Sequence, residues 1–423
     1  MSSKQLSANS VLLPLPNGRV APHSLLFLFF NLLYFVPLLG VMLFSYSEGG
    51  TAKAADLDLD VARKITYIYF LGTFAFVCGS RLGPFLGLVT ARPIAQRALR
   101  LFGLNRPFRL VCLAMIGLFL LSKVLLRRLG VYSEYAFDTD GMTGGVWSFS
   151  MFCSESLLLL SIVVLFSNAR RNVSWFLILT GINGINLLHG TRLFFIIAGI
   201  TFCFYQYVRG ELRLKTAILA FGGVLLVGYL VFLSRSHVET DDQTFSFARL
   251  ISPIMFESIF SQLSLIGTIR HPEMWSLSGS PHHFFLDALY FVTPRFLLPE
   301  KDQLLFTNRF ADLSPLGAFS GYAQGLIYFG IFFPFFYFVL GVIAGWLQRH
   351  ARHSQFWSVI YVYFVCDFLF RIMRDGYVIP IKMLLDSVMI MLVVGFLHHP
   401  LMQFGLASPI PRRPSSSPQV GSA

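Results

Sequence analysis

Long apolar stretches separated by short polar links run through most of this sequence and leave few folds open to it. Of the 423 residues, 55% are hydrophobic and only 13% are charged, whereas a soluble globular domain carries about 25% charged residues. A helix that crosses a bilayer needs about 20 apolar residues. We therefore predict an all-α polytopic membrane protein with ten spans, at residues 24–46, 65–89, 108–129, 147–167, 173–189, 192–208, 215–234, 322–347, 356–374 and 377–397.

The polar links differ in charge from one side of the predicted membrane to the other. Four links are basic and nearly free of acids, namely residues 92–109, 170–171, 209–215 and 349–353. The positive-inside rule places such links in the cytoplasm. Ten spans then put both termini in the cytoplasm and the longest link, residues 235–320, on the outer side. Chemistry in that outer loop has neither ATP nor a nucleotide sugar to use.

The chain is predicted to form one transmembrane domain, residues 1–407, followed by a disordered cytoplasmic tail at 408–423 that is rich in Pro and Ser. Within the outer loop, Pro253–Ile269 and His283–Leu298 are apolar enough to predict helices in the membrane interface. The fifth and sixth spans are short and meet at His189–Arg192, which predicts a hairpin that dips in from the outer face.

The remaining composition excludes several classes of protein. The net charge of +12 comes from arginines dispersed at membrane edges, which topology and anionic headgroups explain, so no nucleic-acid partner is expected. The five cysteines all lie in apolar stretches and are predicted to be small buried hydrophobic residues. Their spacing indicates neither a disulfide framework nor a metal site.

Charged residues at the outer ends of the predicted spans mark candidate sites, because charge at membrane depth is costly. Several cations that face one outer cavity indicate an anionic ligand with more than one charge, such as a lipid-linked pyrophosphate. Arginine suits this role because its planar guanidinium holds phosphate oxygens bidentately. The candidates are Lys123 and Arg127 at the third span, Arg192 at the sixth, Arg295 and Lys301 in the outer loop, and Arg371, Arg374 and Asp375 at the ninth.

These candidates also have structural interpretations. Asp367 and Arg371 are four residues apart on one predicted helix, as are Lys382 and Asp386, and either pair can be an ion pair within the membrane. The cations that end the third span can simply reach the lipid headgroups. Arg192 favours a functional role more strongly, since a cation at a helix start opposes the helix dipole.

Two further kinds of residue are candidates for binding substrate or moving a proton. Glu155 lies inside the fourth span without a partner nearby in the sequence, so it is a candidate base or a partner for one of the arginines. The outer loop carries four histidines, any of which can act as a general base, and His283 is taken as a substrate-binding candidate. No histidine pair has the spacing of a zinc-binding helix, and neither a metal nor another cofactor is predicted.

Three stretches, in this order, resemble the bacterial O-antigen polymerases, which are integral-membrane polymerases of oligosaccharide repeat units. Gly190-Thr-Arg192 opens a span, as Gly-Ser/Thr-Arg does in that family. Residues 294–301, Pro-Arg-Phe-Leu-Leu-Pro-Glu-Lys, are similar to the family's loop pattern of Pro-Arg, two or three residues, Pro, Asp or Asn, and Lys. Residues 314–317 and 321–330 are similar to the run that leads into the family's Asn-Phe-Gly span. This chain departs from the family at Gln324, where many relatives have Glu, and at Glu300.

The resemblance, which covers roughly residues 190–375, implies a metal-independent glycosyltransferase in the bacterial inner membrane. Such an enzyme transfers a growing glycan from undecaprenyl pyrophosphate to the next lipid-linked repeat unit on the periplasmic face. A flippase and a chain-length regulator are the implied partners, besides membrane lipids. The implied catalytic residues are Arg192, Arg295, Arg371, Arg374 and Asp375, and the implied substrate-binding residues are Lys123, Arg127, Glu155, Lys301 and His283.

Two other functions remain open. An O-antigen ligase has a similar plan and transfers glycan to lipid A–core instead. A transporter of lipid-linked sugars without chemistry predicts charges near the bilayer middle and a broken helix pair there.

Overall fold

The computed structural model describes residues 21–44, 59–86, 106–129, 142–166, 172–189, 191–212, 215, 222–223, 226, 261–275, 279–293, 297–298, 300–313, 319–352 and 355–403. These residues are overwhelmingly helical, and no strand occurs among them. Arg295, most of the predicted seventh span and the whole tail 408–423 lie outside the described residues.

Fourteen helices are labelled here in chain order: α1 Pro22–Phe44, α2 Leu59–Leu82, α3 Arg106–Arg128, α4 Met142–Leu165, α5 Asn172–Asn183, α6 Leu193–Val208, α7 261–270, α8 Pro281–Val292, α9 Lys301–Leu304, α10 Gly321–Phe329, α11 Phe333–Ala351, α12 Gln355–Tyr363, α13 Leu369–Asp375 and α14 Val378–Gln403. A π-helix, Phe364–Phe368, joins α12 to α13. Residues Gly184–His189 form a 3₁₀ helix between α5 and α6.

Five helical segments of the described chain are long and apolar enough to cross a membrane: Asp60–Phe85, Phe108–Arg128, Gly145–Leu165, Gly321–Ala351 and Phe356–Asp375. They coincide with the predicted second, third, fourth, eighth and ninth spans. Two shorter apolar helices, Pro22–Leu38 and Leu193–Val208, coincide with the first and sixth. The chain is therefore an all-α protein with the composition of a membrane protein, and the count of ten spans stays a prediction.

The centre of the bundle is formed by α4 and by the continuous run α12–α13. In the apolar windows of these two segments, 78% and 83% of the residues are buried, against 28% in α3. Residues 153–165 of α4 are buried without exception. Polar side chains on α4 and α13 are consequently held inside protein, and α3 presents most of its surface to the surroundings.

The closest helix pair is α2 with α11, which pack through glycines. A Cβ added to Gly79 would lie 2.0 Å from the carbonyl oxygen of Phe338, and one added to Gly341 would lie 2.1 Å from that of Phe76. Gly83 and Gly345 continue the same contact one turn further on, as in the small-xxx-small motifs of membrane helices. Because later residues of α2 meet later residues of α11, the two helices run parallel and end on the same side.

The segment Gly321–Ala351 is predominantly apolar, but it is not the single span predicted at 322–347. The chain turns at Gly330, which has a φ of 55°. Glycine adopts a positive φ readily, because it has no Cβ. The rings of Tyr322 and Tyr337 are 4.7 Å apart and stacked, although 15 residues of continuous helix would separate them by about 22 Å. Helix α10 therefore folds back on α11 as a hairpin.

Helix α7, the described part of the predicted interfacial helix Pro253–Ile269, is buried in protein. Gln262, Ser264 and Thr268 have no exposed surface. The hydroxyls of Ser264 and Thr268 donate to the carbonyls of Ser261 and Ser264, both at 2.7 Å, so these two hydroxyls are satisfied without water. Helix α8, by contrast, exposes the apolar side chains of Phe285 and Leu289.

Candidate functional site

A buried ionic cluster links the two central segments of the bundle. The guanidinium of Arg371 on α13 donates from Nη2 to Oε2 of Glu155 at 2.6 Å and from Nε to Oδ1 of Asp367 at 2.7 Å. The Tyr363 hydroxyl donates to the other oxygen of Glu155. All three charged side chains are at most 2% exposed. The helical spacing of Asp367 and Arg371 predicts one of these ion pairs, and the structure supplies the partner of Glu155.

The cluster lies beside the start of α6. The guanidinium carbon of Arg371 is 5.5 Å from the centre of the Phe194 ring, a distance at which an aromatic face attracts a cation. Phe194 follows Arg192 by two residues, and Arg192 is the half-buried residue immediately before α6. The Gly-Thr-Arg turn is therefore brought close to the ninth predicted span, about 180 residues further along the chain.

Amide side chains hold that turn in place. The Asn183 amide donates to the carbonyl of Ser154 at 3.0 Å, and the Asn186 amide donates to Oδ1 of Asn183 at 2.6 Å and to the Ser154 hydroxyl at 3.1 Å. The Thr191 amide then donates to the carbonyl of Asn186 at 3.0 Å. Ser154 is the neighbour of Glu155, so the hairpin between α5 and α6 is bonded to the same turn of α4 that carries the buried acid.

At the end of α13, Arg374 and Asp375 form an ion pair of 3.2 Å, and their side chains are 22% and 14% exposed. This pair lies one helical turn beyond Arg371 and is more accessible than the buried cluster. The Ser261 hydroxyl of α7 donates to the carbonyl of Arg374 at 3.3 Å. Helix α7 thus contacts the backbone of this pair directly.

The turn that follows is fixed by α10. Oε1 of Gln324 accepts from the amide of Tyr377 at 2.6 Å, and Gly376 has a φ of 75°. A Cβ at Gly376 would lie 2.3 Å from that same oxygen, so both the backbone conformation and the space require glycine. In this structure Gln324 is a structural acceptor that holds the loop after Arg374–Asp375.

A buried carboxylate ties helix α8 to the bundle. Asp287 has no exposed surface and accepts from the backbone amides of Phe306 and Thr307 at 2.7 and 3.1 Å. It also accepts from the Tyr328 hydroxyl of α10 at 2.6 Å. With its oxygens bonded to several donors, Asp287 connects α8, the segment after α9, and the α10–α11 hairpin.

His283 is a half-buried residue of α8, four residues before Asp287. Its ring stacks on Phe306 at 4.0 Å with an angle of 5° between the planes, and the His282 ring is 4.1 Å away. Desolvation by the surrounding protein, together with His282 and Arg309, lowers the pKa of His283 from its ordinary value of 6.5. The uncharged imidazole, which can accept a proton, is therefore favoured.

The other predicted residues lie elsewhere. Lys123 is buried on α3, with Nζ 5.2 Å from the centre of the Phe119 ring, and Arg127 is exposed in the last turn of that helix. Lys301 begins α9. The structure thus brings Glu155, Arg371, Arg374 and Asp375 together with the Arg192 turn.

Four residues with structural roles in this region were missed from the sequence: Asn183, Asn186, Asp287 and Tyr363. A usable signal was present for the first three, because a polar side chain inside an apolar stretch has to find a partner. Tyr363 carried no such signal, since tyrosine is common in apolar helices.

In the described part of the chain, no group of three or more His, Cys, Asp and Glu side chains is placed to hold a metal ion. No protein-family model, curated protein or solved structure matches this chain. The site is accordingly interpreted from its own geometry and from the motifs in the sequence.

Proposed function

We propose that this chain is a glycan polymerase of the bacterial inner membrane. It joins oligosaccharide repeat units carried on undecaprenyl pyrophosphate at the periplasmic face and releases undecaprenyl pyrophosphate. The observation that carries the proposal is the convergence of two sequence-remote motifs. The Arg371 guanidinium lies 5.5 Å from the ring of Phe194, two residues after the Gly-Thr-Arg turn, and the Arg374–Asp375 pair follows Arg371 by about one helical turn.

The three arginines have different environments and so different proposed roles. Arg371 is buried and already binds two carboxylates, so its role is to position α6 and α13 relative to each other. Arg374 and Arg192 are partly accessible, and they are the proposed ligands of the donor's pyrophosphate. Arg295 and Lys301, from the loop motif, are proposed to complete the phosphate site.

In the proposed reaction, a sugar hydroxyl of the acceptor attacks the anomeric carbon of the donor glycan, and the bond from that carbon to the pyrophosphate oxygen breaks. The charge that develops on the departing pyrophosphate is stabilised by guanidinium groups fixed in advance by the fold. Asp375 or His283 accepts the hydroxyl proton, and the lowered pKa of His283 keeps its ring uncharged for this purpose. Holding both lipid-linked substrates in one plane supplies much of the remaining rate enhancement.

The loop helices are proposed to form the lid of this site. Helix α7 bonds to the backbone of Arg374, and α8 is tied to the same region through Asp287 and Tyr328. A loop anchored at several points to the bundle can exclude water from the departing pyrophosphate while its exposed face, with Phe285 and Leu289, rests against lipid.

A second candidate function is movement of a lipid-linked glycan across the membrane without chemistry. Two observations favour it: the buried charges of Glu155 and Asp367 lie inside spans, and α10 is a short helix broken at Gly330. Both features occur in transporters. The loop motif at residues 294–301 and the accessible Arg374–Asp375 pair favour the polymerase.

The deciding experiment uses the full-length protein in liposomes with lipid-linked repeat units. Wild type is expected to give a ladder of longer glycans, Arg192→Ala and Arg374→Ala to lose it, and Arg374→Lys to keep only a small part because bidentate geometry is lost. Arg81→Ala removes an exposed arginine from the last turn of α2, before the link 92–109 that is predicted to be cytoplasmic. This variant should leave the ladder unchanged.

Other outcomes identify the alternatives. A full ladder from both alanine variants refutes the assigned site. Movement of the lipid-linked glycan by wild type, with no ladder, indicates a transporter. In cells, deletion of the gene should leave single repeat units on lipid A–core for a polymerase and bare core for a ligase.

A further inference from the structure

The buried cluster contains one polar atom whose bonding is incomplete. Oδ2 of Asp367 is buried and has no hydrogen-bond partner among the described residues. The whole Asp367 side chain is inaccessible to solvent. An ionised carboxylate oxygen in that environment, without a donor, is among the most costly groups to bury.

The donors that bond within the cluster are directed at other oxygens. Nε of Arg371 donates to Oδ1 of Asp367, and Nη2 donates to Glu155. The Tyr363 hydroxyl has one hydrogen, which it gives to Glu155. Glu155 thus has a donor on each oxygen and is stabilised as a carboxylate, whereas Asp367 has a donor on one oxygen only.

We propose that Asp367 binds one exchangeable proton, carried on Oδ2, and that Glu155 is the ionised member of the cluster. The protonated oxygen then becomes a donor, and the oxygen of Tyr363, which lies four residues earlier in the same run of helix and bonds to Glu155, is its proposed acceptor. The three side chains form a chain from Asp367 through Tyr363 to Glu155. This site is independent of the proposed glycan chemistry.

The charges on neighbouring elements agree with one bound proton. On α14, Lys382 and Asp386 pair with each other at 2.5 Å, and at the end of α13 Arg374 pairs with Asp375, so each of these pairs is neutral. With Asp367 protonated, Glu155 and Arg371 are likewise a neutral pair.

Two further cations lie on the elements that pack around the cluster. Lys123 of α3 lies near Cys153, two residues before Glu155, and Arg192 precedes α6. The cluster itself consists of Glu155, Asp367 and Arg371. The direct balance within the cluster is therefore two acids against one guanidinium, which a single proton makes neutral.

The π-helix supports an exchangeable proton in particular. Asp367 lies inside Phe364–Phe368, and a π-bulge in an α-helix is uncommon and frequent at functional sites. A helix with this irregularity can change its register locally, which allows a proton to be taken up or released without unfolding the bundle.

The test is infrared difference spectroscopy of the purified full-length protein in lipid at neutral pH. A protonated carboxyl group has a C=O stretching band that is separate from the bands of carboxylates. We expect one such band in wild type, a shift of that band when the aspartates carry ¹³C at the side-chain carboxyl, and its loss in Asp367→Asn. Exposed aspartates do not contribute, since their pKa is about 3.9.

Asp60→Asn is the matched control, because Asp60 is an exposed carboxylate that pairs with Lys64 at 2.7 Å, and the band should be unchanged in it. The labelled wild type keeps the test decisive even where Asp367→Asn fails to fold. Absence of the band, no shift on aspartate labelling, or persistence in Asp367→Asn overturns the proposal. A shift on glutamate labelling instead would assign the proton to Glu155.

Discussion

The contact between α2 and α11 allows a quantitative prediction for a single methyl group. In Gly341→Ala, the new Cβ would lie 2.1 Å from the carbonyl oxygen of Phe76, whereas real Cβ atoms keep at least 3.0 Å. The obstacle is backbone and cannot rotate away. The two helices must therefore separate by about 0.9 Å at this point.

A gap of this size weakens the contacts on both sides of the new methyl group. A separation of about 0.5–1 Å forfeits a quarter to a half of each dispersion contact that it opens. Forcing extra carbon into a well-packed interface typically costs about 1–3 kcal/mol, and we expect that loss in the free energy of unfolding. In the double variant Gly79→Ala with Gly341→Ala, the loss should be smaller than the sum, because the shift that relieves one clash relieves the other.

The measurement is equilibrium unfolding in mixed detergent micelles, followed by tryptophan fluorescence, to which Trp346 on α11 contributes. Gly117→Ala is the matched control, because among the described residues a Cβ at Gly117 on α3 would meet nothing within 4 Å beyond the nearby backbone of its own helix; that variant should be as stable as wild type or more so. If Gly341→Ala unfolds at the same free energy as Gly117→Ala, the close packing of α2 and α11 described here is wrong.

Three further predictions concern the outer assembly. Because the pKa of His283 is lowered in the fold, the unfolded chain binds more protons than the folded chain. The contribution of His283 to the free energy of unfolding is therefore fully present above pH 6.5 and is lost as the pH falls from 6.5 through the lowered pKa. His283→Gln should flatten the pH dependence of proteolysis near Phe306. Gly376→Ala forces a side chain into a φ of 75° and against Gln324, and should lower the free energy of unfolding by at least about 1–2 kcal/mol; a melting temperature equal to that of wild type would contradict this. Asp287→Asn removes hydrogen bonds to buried donors, and each donor that is left without a partner costs about 1–3 kcal/mol. This variant should speed protease cleavage of the predicted outer loop relative to wild type.

The length of the apolar stretches predicted the five membrane-length helices, because a long apolar helix is removed from water whichever helices become its neighbours. The helical spacing of Asp367 and Arg371 likewise predicted their ion pair, which is local. The partner of Glu155 was not predictable in this way, since Arg371 is 216 residues away and nothing in the sequence states which helices are neighbours.

Two errors have identifiable physical causes. The hydropathy of residues 322–347 does not report the direction of the backbone, so the reversal at Gly330 was hidden in a continuous apolar run. For α7, the apolar residues of Pro253–Ile269 predicted a helix in the membrane interface, whereas the polar residues between them can also be buried, because Ser264 and Thr268 donate to carbonyls of their own helix. The functional assignments of Arg192 and Arg374 remain predictions, because they depend on a ligand and not on packing.

The parallel pairing of α2 with α11 has a consequence for synthesis of the protein. Gly79 and Gly341 are separated by 262 residues of chain, and at about 5–20 residues per second the ribosome needs roughly 13–52 seconds to make that length. During this interval the glycine face of α2 does not yet have α11 to pack against. Helix α2 is thus held in the translocon or in lipid until the second half of the protein has been made.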